Sequence, residues 1–214
     1  MERPRQTIEC GDVALRRWRG QSDFEPLFTL IEDSLDHLRP WMPWVALHSE
    51  QKTRDFLAKS DAKWDAGDAY NYAITRDGTL IGTCSTYRGT EPQGWYMGYW
   101  LHPAATGRGI ATRATAALIA EAFTLPNLAY LKIAHDLANV SSGAIPRRLG
   151  FTEVRREQVT PPAAPADAGI DVIWRLSRPT PPVATFPPAE LNRPTPRPAA
   201  SAPNEITSNG RWCQ

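Results

Sequence analysis

The stretch Leu101-His102-Pro103-Ala104-Ala105-Thr106-Gly107-Arg108-Gly109-Ile110-Ala111-Thr112 decides how this chain is read. Before it, apolar residues alternate as in a strand; after it, they recur at helical spacing. Between the two lies a glycine-rich turn. Glycine reaches backbone conformations closed to other residues, so such a turn can aim several N–H groups at one point. The helix N-terminus behind it adds a partial positive charge. Strand, turn and helix together make an anion cradle suited to phosphate. Two familiar phosphate loops are excluded. A Walker loop needs Gly-Lys-Ser/Thr, a tripeptide this chain lacks. A dinucleotide fingerprint needs Gly or Ala where Thr112 stands, and it belongs on an early strand. A bare Gly-x-Gly also fits a plain tight turn into a helix.

Toward the C-terminus, Ile110, Ala114, Ala117, Leu118 and Ala122 form the buried stripe of a helix ending near Phe123. Leu128 to Ala134 reads as a strand, Ser142 to Leu149 as a short helix, and Phe151 to Val159 as a strand. A Pro/Ala-rich loop, Thr160 to Gly169, precedes a last strand from Ile170 to Leu176. The helix after Gly109 joins two neighbouring strands, so that unit is βαβ and parallel. Toward the N-terminus, Trp95 to Leu101 and Leu80 to Tyr87 are strands separated by Pro92-Gln93-Gly94. Asp77-Gly78 is a hairpin signal, and Tyr70, Tyr72 and Ile74 alternate before it. Ser49 to Ala66 predicts a helix with Ser49 as cap and Gly67 past its end. Asp23 to Leu38 predicts another, capped by Ser22 or Asp23, and Val13 to Trp18 a short strand. The class is α+β: one mixed sheet of about seven strands with flanking helices.

The chain has 214 residues, a formal charge of +1 and 20 prolines, nine of which fall between Arg178 and Gln214. This predicts one domain over residues 1–177 and a Pro-rich, disordered tail over 178–214, which holds too little apolar surface to offset the entropy of ordering. Without the tail's excess of two arginines the body sits near −1. No basic stripe points to nucleic acid. No apolar run approaches the roughly 18 residues of a membrane span. The N-terminus has no apolar h-region, so a cytoplasmic protein is expected. Cys10, Cys84 and Cys213 are too scattered for a disulfide framework or a zinc site, so no metal is expected.

Six pieces in order resemble the GCN5-related N-acetyltransferases (GNAT), and within them the RimJ/RimL type. They are Arg39-Pro40-Trp41-Met42-Pro43-Trp44, Leu80-Ile81-Gly82-Thr83, Gly98-Tyr99-Trp100-Leu101, Gly107-Arg108-Gly109-Ile110-Ala111-Thr112, Asn139-x-x-Ser142 and Leu149-Gly150-Phe151. They span about Val13 to Leu176. The resemblance implies the GNAT fold and acetyl-CoA as co-substrate, without metal. It implies that Gly107, Arg108, Gly109, Ile110, Ala111 and Thr112 hold the pyrophosphate. Tyr99, Trp100 and Leu101 would hold the pantetheine arm, with Asn139 either binding that arm or turning the chain. The family's loop usually opens with Arg or Gln where Thr106 stands; Arg108 and Arg113 are placed to supply charge instead.

Many relatives use a Tyr four residues before the Gly-Phe pair as the acid, and Pro146 occupies that position. The RimJ/RimL type implies Ser142 as the acid; its other reading is a helix cap. Glu157 is the candidate base by loose resemblance, against a solvated strand residue, with His102 and His135 as alternatives. Trp41 and Trp44 are either core anchors or the wall of the substrate site. The resemblance implies transfer of acetyl to a primary amine, foremost a protein N-terminal α-amine such as that of a ribosomal protein. A small amine, an aminoglycoside or polyamine, is the alternative acceptor, and a non-catalytic acyl-CoA sensor the alternative of another class. The protein is expected to act as a monomer or homodimer.

Overall fold

The computed structural model describes residues 3–179; the rest of the Pro-rich tail, with Cys213, lies outside the described residues. Eight strands form one sheet: β1 (Thr7–Cys10), β2 (Val13–Arg17), β3 (Ala69–Arg76), β4 (Thr79–Arg88), β5 (Gly94–Leu101), β6 (Tyr130–Asp136), β7 (Thr152–Gln158) and β8 (Ile170–Ser177). Their order is β1-β2-β3-β4-β5-β6-β8-β7. Every pairing is antiparallel except β5 with β6, the βαβ unit expected from the helix between them. The strand beyond the expected seven is β1. It buries only Ile8, too little for a periodic signal, and it reaches β2 through a turn at Gly11, where φ is +76°.

Five helices flank the sheet: α1 (Phe24–Glu32), α2 (Leu35–Leu38), α3 (Glu50–Ala66), α4 (Ile110–Ala122) and α5 (Val140–Arg148). The single helix expected over Asp23 to Leu38 is broken in two. Buried Ser34 sits at φ −110°, ψ 0°, and its hydroxyl donates back to the Leu30 carbonyl at 2.7 Å. Asp23 is not a cap. Its carboxylate takes both guanidinium nitrogens of Arg16, at 2.7 and 2.8 Å, and the Arg19 amide at 2.7 Å. Helix α3 starts and ends as expected: Ser49 Oγ accepts from Lys52 N, and Gly67 is left-handed. Asp77 and Gly78, both at positive φ, turn β3 into β4.

The sheet divides the core by strand period. Tyr72 and Ile74, like Tyr99 and Leu101, join α4 in one apolar cluster. The intervening Ala73 and Trp100 join α1 and α3 in another. Adjacent strand residues point to opposite faces, so the clusters lie on the two sides of the sheet. Cys84 is fully buried in the first cluster, and burial pushes its thiol up to about 12, which leaves it an inert packing residue. Among the described residues no helix is long and apolar enough to cross a membrane.

Candidate active site

The parallel pairing of β5 and β6 stops early. It runs from Gly94 opposite Tyr130 to Met97 opposite Ile133. Both strands continue, β5 to Leu101 and β6 to Asp136, without facing each other. Strand β5 keeps its other edge on β4 up to Leu101. From Gly98 onward its inner edge therefore offers backbone donors and acceptors to whatever enters the gap. A narrow cavity of about 60 Å³ occupies this wedge. Residues 97–99 line one side and 133–136 the other; Asn139 and Ser142 add to the lining from the start of α5, with Trp41, Met42, Pro43 and Asp167 at the mouth.

Helix α4 begins just beyond the end of β5. Gly107 and Gly109 sit at φ +72° and +70°, conformations that L side chains rarely adopt. Gly109 is the N-cap, and no side chain satisfies the helix start. The N–H groups of Ile110, Ala111 and Thr112 have no partner within the helix. A Cβ on Gly107 would meet nothing within 4 Å, so the turn is open to its surroundings there. This geometry fits a pyrophosphate. Thr106 turns away, its hydroxyl donating to the Pro103 carbonyl at 2.8 Å. Arg113 also does something other than expected. It donates to the Arg108 carbonyl at 3.0 Å and to Asp12 at 2.7 Å, and Asp12 also pairs with Arg76 at 2.7 Å. Arg113 thus braces the turn against the β1–β2 hairpin. Exposed Arg108 is the side chain within the turn that can approach an anion.

Ser142 is not the cap of α5. Asn139 is, its side-chain oxygen accepting from Ser142 N at 3.1 Å. The Ser142 hydroxyl, in the first turn, lies 3.5 Å from the Tyr99 hydroxyl, which donates to the Ser142 carbonyl at 3.1 Å. Burial pushes the Tyr99 phenol well above its ordinary range, so it stays a neutral donor. Trp100 and Leu101 turn their side chains into the core, leaving their backbone at the wedge. Trp41 and Trp44 part company. Trp41 stands at the mouth of the wedge, whereas Trp44 faces Trp100 across the sheet's other side, ring centroids 6.2 Å apart.

The structure separates the candidate bases. Glu157 stands on edge strand β7, opposite Asp171 of β8 and ion-paired with Arg155, away from the residues that line the wedge. His102 Nδ1 accepts from the Ala104 amide at 3.2 Å and caps a short 3-10 turn. His135 lines the wedge, yet both ring nitrogens are committed. Its Nε2 accepts from the Trp174 indole at 3.0 Å, so the proton sits on Nδ1 and is donated to the Asp136 carbonyl, 2.7 Å away. Gly143 belongs to this arrangement, since a Cβ there would come within 2.5 Å of the imidazole.

Burial pulls the His135 pKa below the ordinary value, against a smaller opposing pull from the Asp136 carbonyl. The unfolded chain therefore takes up this proton at a higher pH than the folded one. Stabilisation from neutral His135 is complete above about pH 6.5 and is lost as pH falls through that value toward the folded pKa. Thermal melts from about pH 8 to pH 5 should show stability falling on the acid side. His135→Gln, which does not titrate, should flatten that part of the profile; an unchanged slope would remove His135 as its source.

Sequence reading passed over two carboxylates here. Asp136, 3% exposed, accepts four backbone N–H groups: Ala138 and Ala168 at 2.8 Å on Oδ1, Gly169 at 3.0 Å and Ile170 at 3.2 Å on Oδ2. Asp167 accepts from the Ala164 amide at 2.8 Å. The loop they hold reaches the opposite wall, where the Ala166 amide donates to the Pro40 carbonyl at 3.0 Å. The loops 39–44 and 160–169 are thus joined over the wedge. No local pattern announces this, because it depends on the register of β6 against β8.

The sequence profile of the acetyltransferase (GNAT) domain matches residues 12–152. The chain belongs to the GNAT acetyltransferase family. This GNAT enzyme also resembles solved structures in fold. RimL, a ribosomal L7/L12 alpha-N-protein acetyltransferase in complex with coenzyme A, superposes with a TM-score of 0.73 at 22% identity, over 80% of this chain and 97% of that one. RimJ of Mycobacterium smegmatis gives 0.69 at 22% identity, over 81% and 85%. The microcin C7 self-immunity acetyltransferase MccE, in complex with acetyl-CoA and AMP, gives 0.70 at 22%, over 78% and 93%. No curated protein sequence matches the GNAT enzyme.

Proposed function

We propose that this acetyltransferase uses acetyl-CoA to acetylate the α-amine of a protein N-terminus by direct transfer. The observation that carries the donor assignment is the wedge between β5 and β6, open beside the uncapped start of α4. Bound acetyl-CoA supplies an activated acetyl thioester. The N–H groups of residues 107–112 hold its pyrophosphate, aided by the exposed Arg108 guanidinium, and the inner edge of β5 from Gly98 to Leu101 holds its pantetheine arm. The Asn139 carboxamide keeps its NH2 to donate toward that arm.

Ser142 lies where the thiol leaves. Its hydroxyl gives a proton to sulfur as the C–S bond breaks and the amine nitrogen bonds to the carbonyl carbon, and regains one from water. Base demand is small for an α-amine, whose pKa of about 7.7–8.0 leaves a neutral fraction at pH 7. Asp167, at the mouth of the wedge, accepts the amine's proton through water; Glu157 would have to act from outside the lining. A polycationic acceptor calls for an acidic cleft. Here Asp136 is consumed by four amides, and a single carboxylate, Asp167, stands with Trp41, Met42 and Pro43, too little negative charge for a polycation. That favours a peptide terminus over an aminoglycoside or polyamine.

Mass spectrometry after incubation with acetyl-CoA tests this, with N-terminal peptides in one panel and small amines in another. Acetylated peptide α-amines are expected; products confined to small amines would overturn the acceptor assignment. Ser142→Ala is expected to lower kcat by about 100-fold while leaving KM for acetyl-CoA within a few-fold. A Ser142→Ala enzyme with full kcat would remove the acid role.

A further inference from the structure

A second cavity, of about 290 Å³, lies on the α1/α3 side of the sheet. Its walls are Trp18, Leu27, Trp44, Phe56 and Trp100, with Leu47, His48 and Lys52 among the remaining lining residues. Leu47 is 69% exposed, an apolar side chain kept in water. His48 stacks on Phe28, and its Nε2 lies 3.0 Å from Glu32 Oε1 without hydrogen-bond geometry. Trp18 is 2% exposed, and its indole N–H has no partner among the described residues. Buried donors without partners are rare in folded proteins and call for an explanation. The cavity is partly open to solvent, and the exposed Leu47 is part of its lining.

The cavity adjoins the wedge at the loop 39–44. Pro43 lines both. Trp41 and Met42, just before Pro43, line the wedge, and Trp44, just after it, lines the cavity. A peptide whose terminus lies beside Pro43 can turn a neighbouring side chain into the cavity. Its volume sits at the low end of small-molecule sites, which run from about 300 to 1,000 Å³. It suits one large side chain rather than a nucleotide. No carboxylate lines it, and the cationic residue that does is Lys52, so a basic side chain would meet both an apolar wall and a like charge.

We infer that this cavity selects the acceptor: it takes a large apolar or aromatic side chain carried on one of the first two residues of the acetylated peptide. The inference rests on the N-terminal reading above. The peptide that carries the side chain also brings carbonyl oxygens, one of which can accept the Trp18 indole hydrogen.

The test is kcat/KM for acetylation of short peptides that differ only in their first two residues, with Phe, Tyr, Leu, Ala, Gly, Asp and Lys compared. Phe, Tyr and Leu peptides are expected to exceed Gly and Lys peptides by about 10-fold or more. Trp44→Ala should reduce that ratio severalfold, with KM for acetyl-CoA unchanged. Lys52→Glu, an exposed change in the first turn of α3, should relieve the bias against Lys peptides while preserving the fold. Peptides acetylated at equal rates whatever their side chain would overturn this inference and leave the N-terminal reading intact. Acetylation of small amines alone would overturn both.

Discussion

Asp136→Asn is expected to lower the melting temperature on the order of 10 °C or more and to depress kcat/KM along with it. The carboxylate accepts four amides, two on each oxygen, while only 3% exposed. An amide side chain keeps one acceptor and turns an NH2 toward the other pair of N–H groups. At least two bonds are lost, at roughly 1.5–3 kcal/mol each for a charged acceptor, and two donors are left buried against a third. The sum is about 3–6 kcal/mol, and in a domain of this size each kcal/mol shifts the midpoint by about 2–4 °C. The damage is directional. Ala168, Gly169 and Ile170 come free, and with them the loop that carries Asp167 and meets Pro40 across the wedge. Limited proteolysis should therefore cut the variant first within residues 160–169. A variant that melts within about 2 °C of the parent would show that the four bonds contribute little.

Asp136 also marks how far the sequence could be read. What was legible had a local cause. Helix α3 carries its own cap in Ser49 and its own stop in Gly67. The β3–β4 hairpin carries Asp77-Gly78, and the turn before α4 carries two glycines that the structure places at positive φ. The βαβ unit follows from one helix spanning two neighbouring strands, and it sets the parallel pair whose divergence makes the wedge. What was not legible depends on contacts distant in sequence. Ser142 could be a cap until Asn139 was seen to fill that position. Arg113 looked like a phosphate ligand because nothing local reveals Asp12, about a hundred residues away, as its partner. Trp41 and Trp44 looked equivalent, yet the rigid turn at Pro43 sends one to the wedge and the other to the cavity behind Trp100. His135 looked available as a base until Trp174, on β8, took its second nitrogen. Periodicity and turn chemistry report the elements; the register between elements decides which side chains meet.

Gly109→Val is expected to weaken coenzyme A binding by roughly 100-fold or more with only a modest loss of stability. Gly109 stands at φ +70° as the N-cap of α4, and no side chain caps the helix in its place. A β-branched residue at that φ is strained by at least about 1–2 kcal/mol, so the backbone rotates to escape. The rotation turns the N–H groups of the loop away from a common point. Loss of two charge-assisted bonds to phosphate removes about 3–6 kcal/mol, a factor of roughly 10² to 10⁴ in affinity. Steric blockage is a lesser cause, because a Cβ at Gly109 first meets Arg113 Nη1 at 3.4 Å, close to an ordinary van der Waals contact. Gly78→Val separates the two effects. Gly78 sits at φ +78° in the β3–β4 turn with open space around its Cβ, so the same substitution brings similar backbone strain outside residues 107–112. Calorimetric titration with coenzyme A, paired with thermal melts, reads both quantities. Both variants should lose comparable stability, and Gly109→Val alone should lose affinity. If Gly109→Val binds coenzyme A within about threefold of the parent, the backbone of residues 107–112 is not what holds the pyrophosphate, and the burden shifts to the Arg108 side chain.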